Sequence, residues 1–430
     1  MKRRDFVRNT TAASIVYSSL PLMGFQSKAK RYKTALIGSG WWGMNILTFA
    51  VASGECEVVA LCDVDQNQLD IAKEILNPLT SDRPTYYEDY RELLKKEKPE
   101  IVIVGTPDHW HALPAIASME SGAHVYVEKP IGHTINEGKA MVNAARENDR
   151  VVQVGLHRKV SPHNKAGINF LRSGKAGKIG MVRSFVHYPF RESKLVEDSK
   201  PPNGLNWDMW CGPAPYRNYN KKIHPKGFRQ FLDYANGQAG DWGVHWFDQI
   251  LGWTEEKYPK AVHSTGGRKI MKGIADAPDH QIINFEFESF TATWEHRQFG
   301  GNQNEKHAIG VYFYGTKGVF HMGWRDGWTF YPTNPKEETI HMEPVLHTKD
   351  QHNIPELWAD FMHAIKSRTR PVADIQVGHY ATNMSLLGML SFKLGRSVTW
   401  DGEKDLIIGD EEANKLLSRE YRIPWEYPKV

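Results

Sequence analysis

The sequence predicts an α/β Rossmann domain in its first third, followed by an α+β domain built on a mostly antiparallel open sheet. Three observations predict this. From Tyr32 to about Leu156, short Val- and Ile-rich runs alternate with helical segments, the pattern of buried parallel strands joined by crossover helices. Beyond residue 156 the spacing changes to period-2 strands separated by glycine-containing turns such as Gly315-Thr316-Lys317-Gly318. Between the first strand and the first helix stands Gly38-Ser39-Gly40-Trp41-Trp42-Gly43, a turn suited to phosphate approach.

In order, the first domain (31–156) reads as strands at 33–38, 57–62, 101–105, 123–127 and 151–155. Helices fall near 43–53, 66–76, 87–97, 109–121 and 134–147. The second domain (157–430) reads as strands at 181–188, 281–287, 291–298, 307–314 and 318–322. Helices follow at 355–367 and 376–395, the latter stopped by Gly395, and they are placed to pack back on the first domain. The stretch 190–230, rich in Pro, Asn, Gly and Trp, reads as a long ordered loop covering a site.

Composition narrows the function classes. The chain has 430 residues, 40% hydrophobic and 24% charged, enough for two cored domains. The formal charge of +4 belongs to the N-terminus: Lys2, Arg3, Arg4, Arg8 and Lys28 face only Asp5 within residues 1–29, so the rest sums to zero. A neutral body with no basic run gives no reason to expect nucleic acid or an anionic membrane. Residues 1–29 read as a twin-arginine-type signal: paired arginines, a weakly apolar stretch too short to span a bilayer, and Ser27-Lys28-Ala29 as a small-x-small site. That predicts export, to the periplasm, of a protein folded around its cofactor in the cytoplasm. Cys56 and Cys62 share one strand, about 20 Å apart, too far for a disulfide. Cys211 stands alone, and no cysteine pair has metal-ligand spacing, so no metal is expected.

Four motifs carry chemistry. In Gly38-Ser39-Gly40-Trp41-Trp42-Gly43, the first glycine turns the chain, the second admits a pyrophosphate and the third lets helix pack on strand. Asp63 ends the next strand where a carboxylate meets a ribose 2′-hydroxyl, and Gln66-Asn67-Gln68 supplies no cation for a 2′-phosphate. NAD is therefore expected, with NADP as the alternative. Thr106-Pro107-Asp108-His109-Trp110-His111 closes the third strand; it either caps the next helix through Thr106 or Asp108 or lines the cofactor crevice, with His111 the candidate. His124-Val125-Tyr126-Val127-Glu128-Lys129-Pro130 delivers a lysine to a strand's carboxyl end, where ligands bind in such sheets. Finally, Gly240-Asp241-Trp242-Gly243-Val244-His245-Trp246-Phe247-Asp248 reads as an amphipathic helix with Asp241, His245 and Asp248 on one face. A carboxylate beside an imidazole suits a general base; a capping Asp with a satisfied histidine, and a metal site, are the competing readings. His157 and Arg158, just past the fifth strand, are candidate substrate contacts, with a plain salt bridge as the alternative. The many tryptophans of the second half are expected in cores rather than stacked on sugars.

Taken together, the glycine loop, Thr106-Pro107 with His111, Glu128-Lys129-Pro130 and the D-x-x-x-H of Asp241 and His245 resemble the Gfo/Idh/MocA oxidoreductases, named for glucose–fructose oxidoreductase and inositol dehydrogenase. Trp207-Asp208-x-Trp210-x-Gly212-Pro213-Ala214-Pro215 and Arg370-Pro371-Val372-Ala373-Asp374 extend the likeness over everything after the leader. The resemblance implies Lys129, Asp241 and His245 as the catalytic group. It implies a cofactor site formed by Gly38, Gly40, Trp41, Trp42, Gly43, Asp63, Thr106, Pro107, His111, Glu128 and Lys129. Substrate contacts would fall to His157, Arg158, Asp241 and His245. It further implies hydride transfer between a sugar, sugar derivative or cyclitol and nicotinamide, and homodimers or homotetramers formed through the second sheet. Lys129 and His245 can exchange the roles of base and alkoxide partner. The second expectation is a redox-neutral NAD-dependent glycoside hydrolase or lyase working through a keto-sugar; hydrolases of that kind resemble this chain less well, because its Glu-Lys-Pro lysine is intact. A non-catalytic sugar or cofactor sensor comes third, and would be expected to lack Lys129 or His245.

Overall fold

The computed structural model describes residues 30–189, 195–301, 305–347 and 352–430. The twin-arginine-like leader lies outside the described residues. The first sheet is built from β1 (Tyr32–Ile37), β2 (Cys56–Cys62), β3 (Thr85–Tyr87), β4 (Ile101–Val104), β5 (His124–Val127) and β6 (Val152–Val154). All pairings are parallel, in the order β3-β2-β1-β4-β5-β6. Between them run α1 (Trp41–Ala52), α2 (Gln66–Leu76), α3 (Tyr90–Glu97), α4 (Ala112–Glu120) and α5 (Ile135–Glu147). Strand order reverses between β1 and β4, which opens a crevice at their carboxyl ends. Every side chain of β4 is buried, as a strand covered on both faces requires. β3 was not anticipated: it is three residues at the sheet edge, too short for a periodic signal. Asp89 caps α3, which accordingly starts at Tyr90 rather than at 87.

The second domain opens with α6 (Pro162–Arg172), β7 (Ile179–His187), α7 (Trp207–Cys211) and α8 (Val244–Trp253). Its sheet continues through β8 (Ala261–Gly267), β9 (His280–Glu286), β10 (Thr291–Arg297), β11 (Ile309–Gly315), β12 (Gly318–Gly323), β13 (Trp328–Pro332) and β14 (Ile340–Met342). The chain then forms α9 (Ile354–Ser367), α10 (Ile375–Leu394), β15 (Val398–Asp401), β16 (Leu406–Ile407) and α11 (Glu411–Lys415). Ten strands line up as β14-β13-β12-β11-β7-β10-β9-β8-β15-β16. All neighbours are antiparallel except β7 and β10, which run parallel from Met181 against Thr291. β9 and β10 alternate buried and exposed residues, so one face carries the core. That core joins Phe170 of α6, Trp246 and Phe247 of α8 and Met384 and Leu387 of α10 to inward residues of the sheet. Sequence periodicity missed α6, β8 and β13 through β16. Gly395 ends α10 in a left-handed conformation, as expected.

α9 and the start of α10 complete the first core: Leu357, Trp358, Phe361 and Ile375 belong to the cluster that holds β4 to β6. The C-terminal residues return as well, with Trp425 edge-on to Trp110 at 4.7 Å and the Tyr421 hydroxyl donating to Glu137 at 2.8 Å. Residues 195–230 are ordered by a small core of their own. Trp207 and Trp210 stack at 4.5 Å and pack with Tyr219, Phe228, Phe231 and Tyr234. Trp207, Trp210, Trp246, Trp294, Trp324 and Trp328 are all buried, so the expectation that tryptophans serve cores holds for them. Cys56, Cys62 and Cys211 form no disulfide, and all three are buried.

Candidate active site

The crevice between β1 and β4 is shaped by glycines. Gly38 has a φ of 89°, and a side chain there would lie 2.6 Å from the backbone of Gly105 and Thr106. A side chain on Gly43 would strike the Gly38 carbonyl at 2.1 Å, which explains the close seating of α1 on the loop. Gly40 differs, because the nearest atom to its missing side chain is Gln68 Oε1 at 3.9 Å. α1 starts beside that open space with no side-chain cap and no acid in its first turn, so its N–H groups face a position suited to an anion. Thr106 Oγ1 is buried without a hydrogen-bond partner on the opposite loop. These features fit the pyrophosphate and polar edge of a dinucleotide.

Asp63, at the end of β2, accepts the Ser39 N–H at 2.8 Å and the Asp65 N–H at 3.0 Å. Burial raises its carboxyl to about 6, although both N–H bonds oppose the rise, so it is anionic at neutral pH. A fixed negative charge there favours a ribose diol over a 2′-phosphate. Trp41 is 54% exposed, with Lys226 4.9 Å above its ring. Trp42 instead helps lower the carboxyl of Glu128 against the rise that burial imposes.

His111 is 1% exposed, not lining the crevice as expected. Its ring nitrogens sit 2.6 Å from the Pro130 carbonyl and 2.8 Å from the Thr106 carbonyl. It therefore ties the loop after β4 to the loop after β5, and burial lowers it to about 4. One neutral imidazole donates a single proton, so only one of the two contacts is a full hydrogen bond at a time. Neither Thr106 nor Asp108 caps α4, because a 3-10 turn over Asp108–Trp110, preceded by extended Pro107, intervenes.

Lys129 emerges from β5 at the crevice mouth. Its Nζ donates to the Asp241 carbonyl at 2.7 Å and lies 3.2 Å from Asp241 Oδ1. Arg229 Nε donates to the same Oδ1 at 3.0 Å. Burial alone would raise the Asp241 carboxyl; Arg229 and Lys129 outweigh it and hold it below the usual carboxylate range. Behind Lys129, Glu128 accepts the Lys129 N–H at 3.2 Å and is raised by burial. A side chain on Gly155 would lie 2.2 Å from Glu128 Oε1, so this corner tolerates only glycine without rearrangement. Asp108 completes the cluster: burial drives it up to about 7, opposed by Arg229 and Lys129 and aided by Asp241. Arg229 was missed by the sequence reading because it sits on a short 3-10 turn, Gly227–Gln230, in an irregular stretch with no periodic signal.

The expected shared face of Asp241, His245 and Asp248 is split three ways. Ala239–Gly243 forms a π-helical turn, whose extra residue per turn shifts Asp241 around the helix toward Lys129 and Arg229. His245, on α8, has its ring 5.2 Å from His157 and 5.1 Å from Trp324, and its Nδ1 is buried without a partner. Burial, with Lys129 and His157 adding, holds it well below the ordinary histidine value, so the ring is neutral. Asp248 pairs with Lys159 at 2.8 Å, away from the site. His157 Nε2 lies 3.2 Å from His352 Nδ1, and burial keeps it neutral too. Arg158 takes a post different from either expectation. It is 2% exposed between Trp246 and Trp324, at 4.9 and 4.3 Å, and donates to the Gly323 carbonyl at 2.7 Å. It braces the wall behind His245. Among the described residues, no group of three or more His, Cys, Asp or Glu side chains is placed to hold a metal.

A six-stranded Rossmann sheet with this glycine loop, joined to an open antiparallel sheet, defines a two-domain NAD-binding oxidoreductase. Residues 32–156 match the Gfo/Idh/MocA oxidoreductase family, NAD-binding Rossmann fold, and residues 184–308 and 339–427 match its C-terminal alpha/beta domain. The chain belongs to the Gfo/Idh/MocA oxidoreductase family. A curated relative, a glycosyl hydrolase family 109 protein of Shewanella pealeana, is 26% identical over 56% of this chain and 57% of its own. The match thus spans little more than half of that relative. The fold also matches the WlbA dehydrogenase of Bordetella pertussis in complex with NADH and UDP-GlcNAcA (15% identity, 86% of this chain, 99% of that one, TM-score 0.65). It matches a levoglucosan dehydrogenase in complex with NADH and levoglucosan equally well (18% identity, 86% and 99% covered, TM-score 0.66).

Proposed function

We propose that this protein oxidises a hydroxyl carbon of a sugar, sugar derivative or cyclitol, using NAD held tightly in the crevice of residues 38–43. The observation that carries the reading is Lys129. Its ammonium stands at the carboxyl end of β5, pinned by Asp241 within a buried cluster beside a dinucleotide cradle. When bound, the nicotinamide supplies the hydride acceptor. Lys129 Nζ donates a hydrogen bond to the substrate oxygen and stabilises its developing negative charge. Neutral His245, whose ring keeps a lone pair free to accept, takes the hydroxyl proton at a ring nitrogen. Asp241, bonded to Lys129 and Arg229, orients the ammonium rather than the histidine. The wall of Trp242 and Trp324 beside His245 keeps water from the proton.

The relative's name supports a second reading, in which the same keto-sugar chemistry ends in glycoside cleavage with no net redox change. One experiment separates them. The purified protein is loaded with NAD and given free sugars and glycosides, while nicotinamide absorbance and aglycone release are followed. Stoichiometric reduction without release supports the oxidoreductase; release with no net reduction supports the hydrolase or lyase. Export belongs to the proposal, supported by the Arg3-Arg4 leader, and Arg3→Lys with Arg4→Lys should trap the protein in the cytoplasm. So does a homodimer or homotetramer through the ten-stranded sheet, to be read by light scattering.

A further inference from the structure

Oxidation of a hydroxyl frees one proton for every hydride taken up, and the proposed base is poorly placed to keep it. His245 is 7% exposed, with Trp324 at 5.1 Å and Trp242 at 6.5 Å from its ring. Burial first, then Lys129, His157 and Arg158, disfavour a positive charge there. A proton left on His245 beside the Lys129 ammonium favours return of the hydride, so net oxidation needs a proton exit.

Two further imidazoles lead away from His245. The His157 ring lies 5.2 Å from it, a spacing that allows proton transfer directly or through one water. His157 Nε2 is in turn 3.2 Å from His352 Nδ1. His245 Nδ1 and His157 Nδ1 are both buried with no hydrogen-bond partner among the described residues, and such nitrogens in a native fold call for a reason. His352 is half-buried and edge-on to Trp42 at 4.7 Å, so its ring borders solvent. The array is also held in place. Trp324 packs against all three rings, at 5.1 Å from His245, 5.8 Å from His157 and 6.3 Å from His352. Buried Asn353 accepts the Ser161 hydroxyl at 2.6 Å, which fastens the residue after His352 to the segment that follows His157.

We propose that His157 and His352 form a relay that carries the substrate proton from His245 to solvent. The inference rests on the reading of His245 as the base in hydroxyl oxidation. The substrate O–H bond breaks and its proton bonds to His245 Nε2, while the hydride and its electron pair leave the carbon for the nicotinamide. The His245 Nδ1 proton then passes to His157 Nδ1. The His157 Nε2 proton crosses the 3.2 Å contact to His352 Nδ1, and His352 Nε2 gives its proton to water. The path starts from the tautomer in which His157 Nε2–H donates to His352. Each ring ends neutral with its proton on the other nitrogen, and one proton leaves for each nicotinamide reduced.

The test follows single turnovers of the full chain loaded with NAD, in weak buffer with a pH indicator. Glucose, galactose, myo-inositol and levoglucosan are the probes. The parent should release one proton for each nicotinamide reduced. His157→Gly and His352→Ala should each slow proton release at least about tenfold, and added imidazole should restore most of the loss. A role in packing alone would give no such rescue. In the NAD-free protein, nitrogen-15 spectra should show His157 protonated at Nε2 and bare at Nδ1. Proton release at the parental rate in either variant, slowing that imidazole does not relieve, or the opposite His157 tautomer each overturns the relay. If His157→Gly does not fold, His352→Ala decides. Any of these results with reduction intact in the parent leaves the oxidoreductase reading standing. No reduction by the parent with any probe overturns that reading, and the relay falls with it.

Discussion

Replacing Lys129 with Met keeps the length of the side chain and deletes its ammonium, which tests the catalytic assignment most directly. In the structure the Lys129 side chain is 11% exposed, and its ammonium makes two contacts with Asp241, at 2.7 and 3.2 Å. Two effects follow. Removing a preorganised donor from a developing oxyanion lowers kcat by about 10²–10³, or roughly 3–4 kcal/mol of transition-state stabilisation. Removing one cation from Asp241 leaves the carboxylate with Arg229 at 3.0 Å, so it is not stranded, and the folding penalty should stay near 1–3 kcal/mol. The proposed dinucleotide cradle is made by Gly40, the start of α1 and Asp63, none of which Lys129 touches. The NADH dissociation constant should therefore move by less than about threefold, a change worth under 1 kcal/mol. The assay pairs single-turnover nicotinamide reduction at saturating substrate with a fluorescence titration of NADH. A kcat loss smaller than about tenfold, or a parallel loss of NADH affinity, would refute the reasoning.

Other consequences follow from the same geometry. Asp108 carries a carboxyl raised to about 7 by burial, so between about pH 4 and pH 7 the folded state keeps a proton that the unfolded chain has lost. Stability therefore falls as pH rises through that window, by an amount approaching about 4 kcal/mol above it. Asp108→Asn should match the parent's melting temperature near pH 4 and exceed it by about 5 °C near pH 8; a gap independent of pH would count against the buried charge. Gly155→Ala places a methyl against Glu128, which supports the Lys129 backbone, and should destabilise by about 1–3 kcal/mol while lowering kcat more than NADH affinity. Gly40→Val fills the space before α1, so NADH binding should weaken at least about tenfold with the melting temperature of the free protein little changed. His245→Gln should lower kcat by about 10²–10⁴ and flatten its pH profile, leaving KM within a few fold.

The parts of this protein legible in its sequence are those that local rules determine. Buried parallel strands need unbroken apolar runs, a phosphate cradle needs glycines where side chains would collide, and a helix stop needs a left-handed residue. For that reason β1, β2, β4, β5 and β6, the glycine loop and Gly395 stood where the pattern placed them, and Lys129 came at the end of β5. Tertiary structure decided what those residues touch. Arg229 reaches Asp241 because a tryptophan-rich core folds residues 195–230 over the crevice, a long-range packing event with no period to read. The π turn at Ala239–Gly243 sends Asp241 to the lysine and leaves His245 to its aromatic wall, although their spacing alone puts both on one helical face. Arg158 and His111 carry residue types that suggest ligand contact, yet burial turned one into a brace and the other into a clamp. The short edge strand β3 and the parallel pairing of β7 with β10 depend on the neighbours that accept their hydrogen bonds. Sequence determines which groups lie along each element; only the packed fold determines which charges meet, because Lys129 and Asp241 come together from positions 112 residues apart and Arg229 joins them from an irregular turn.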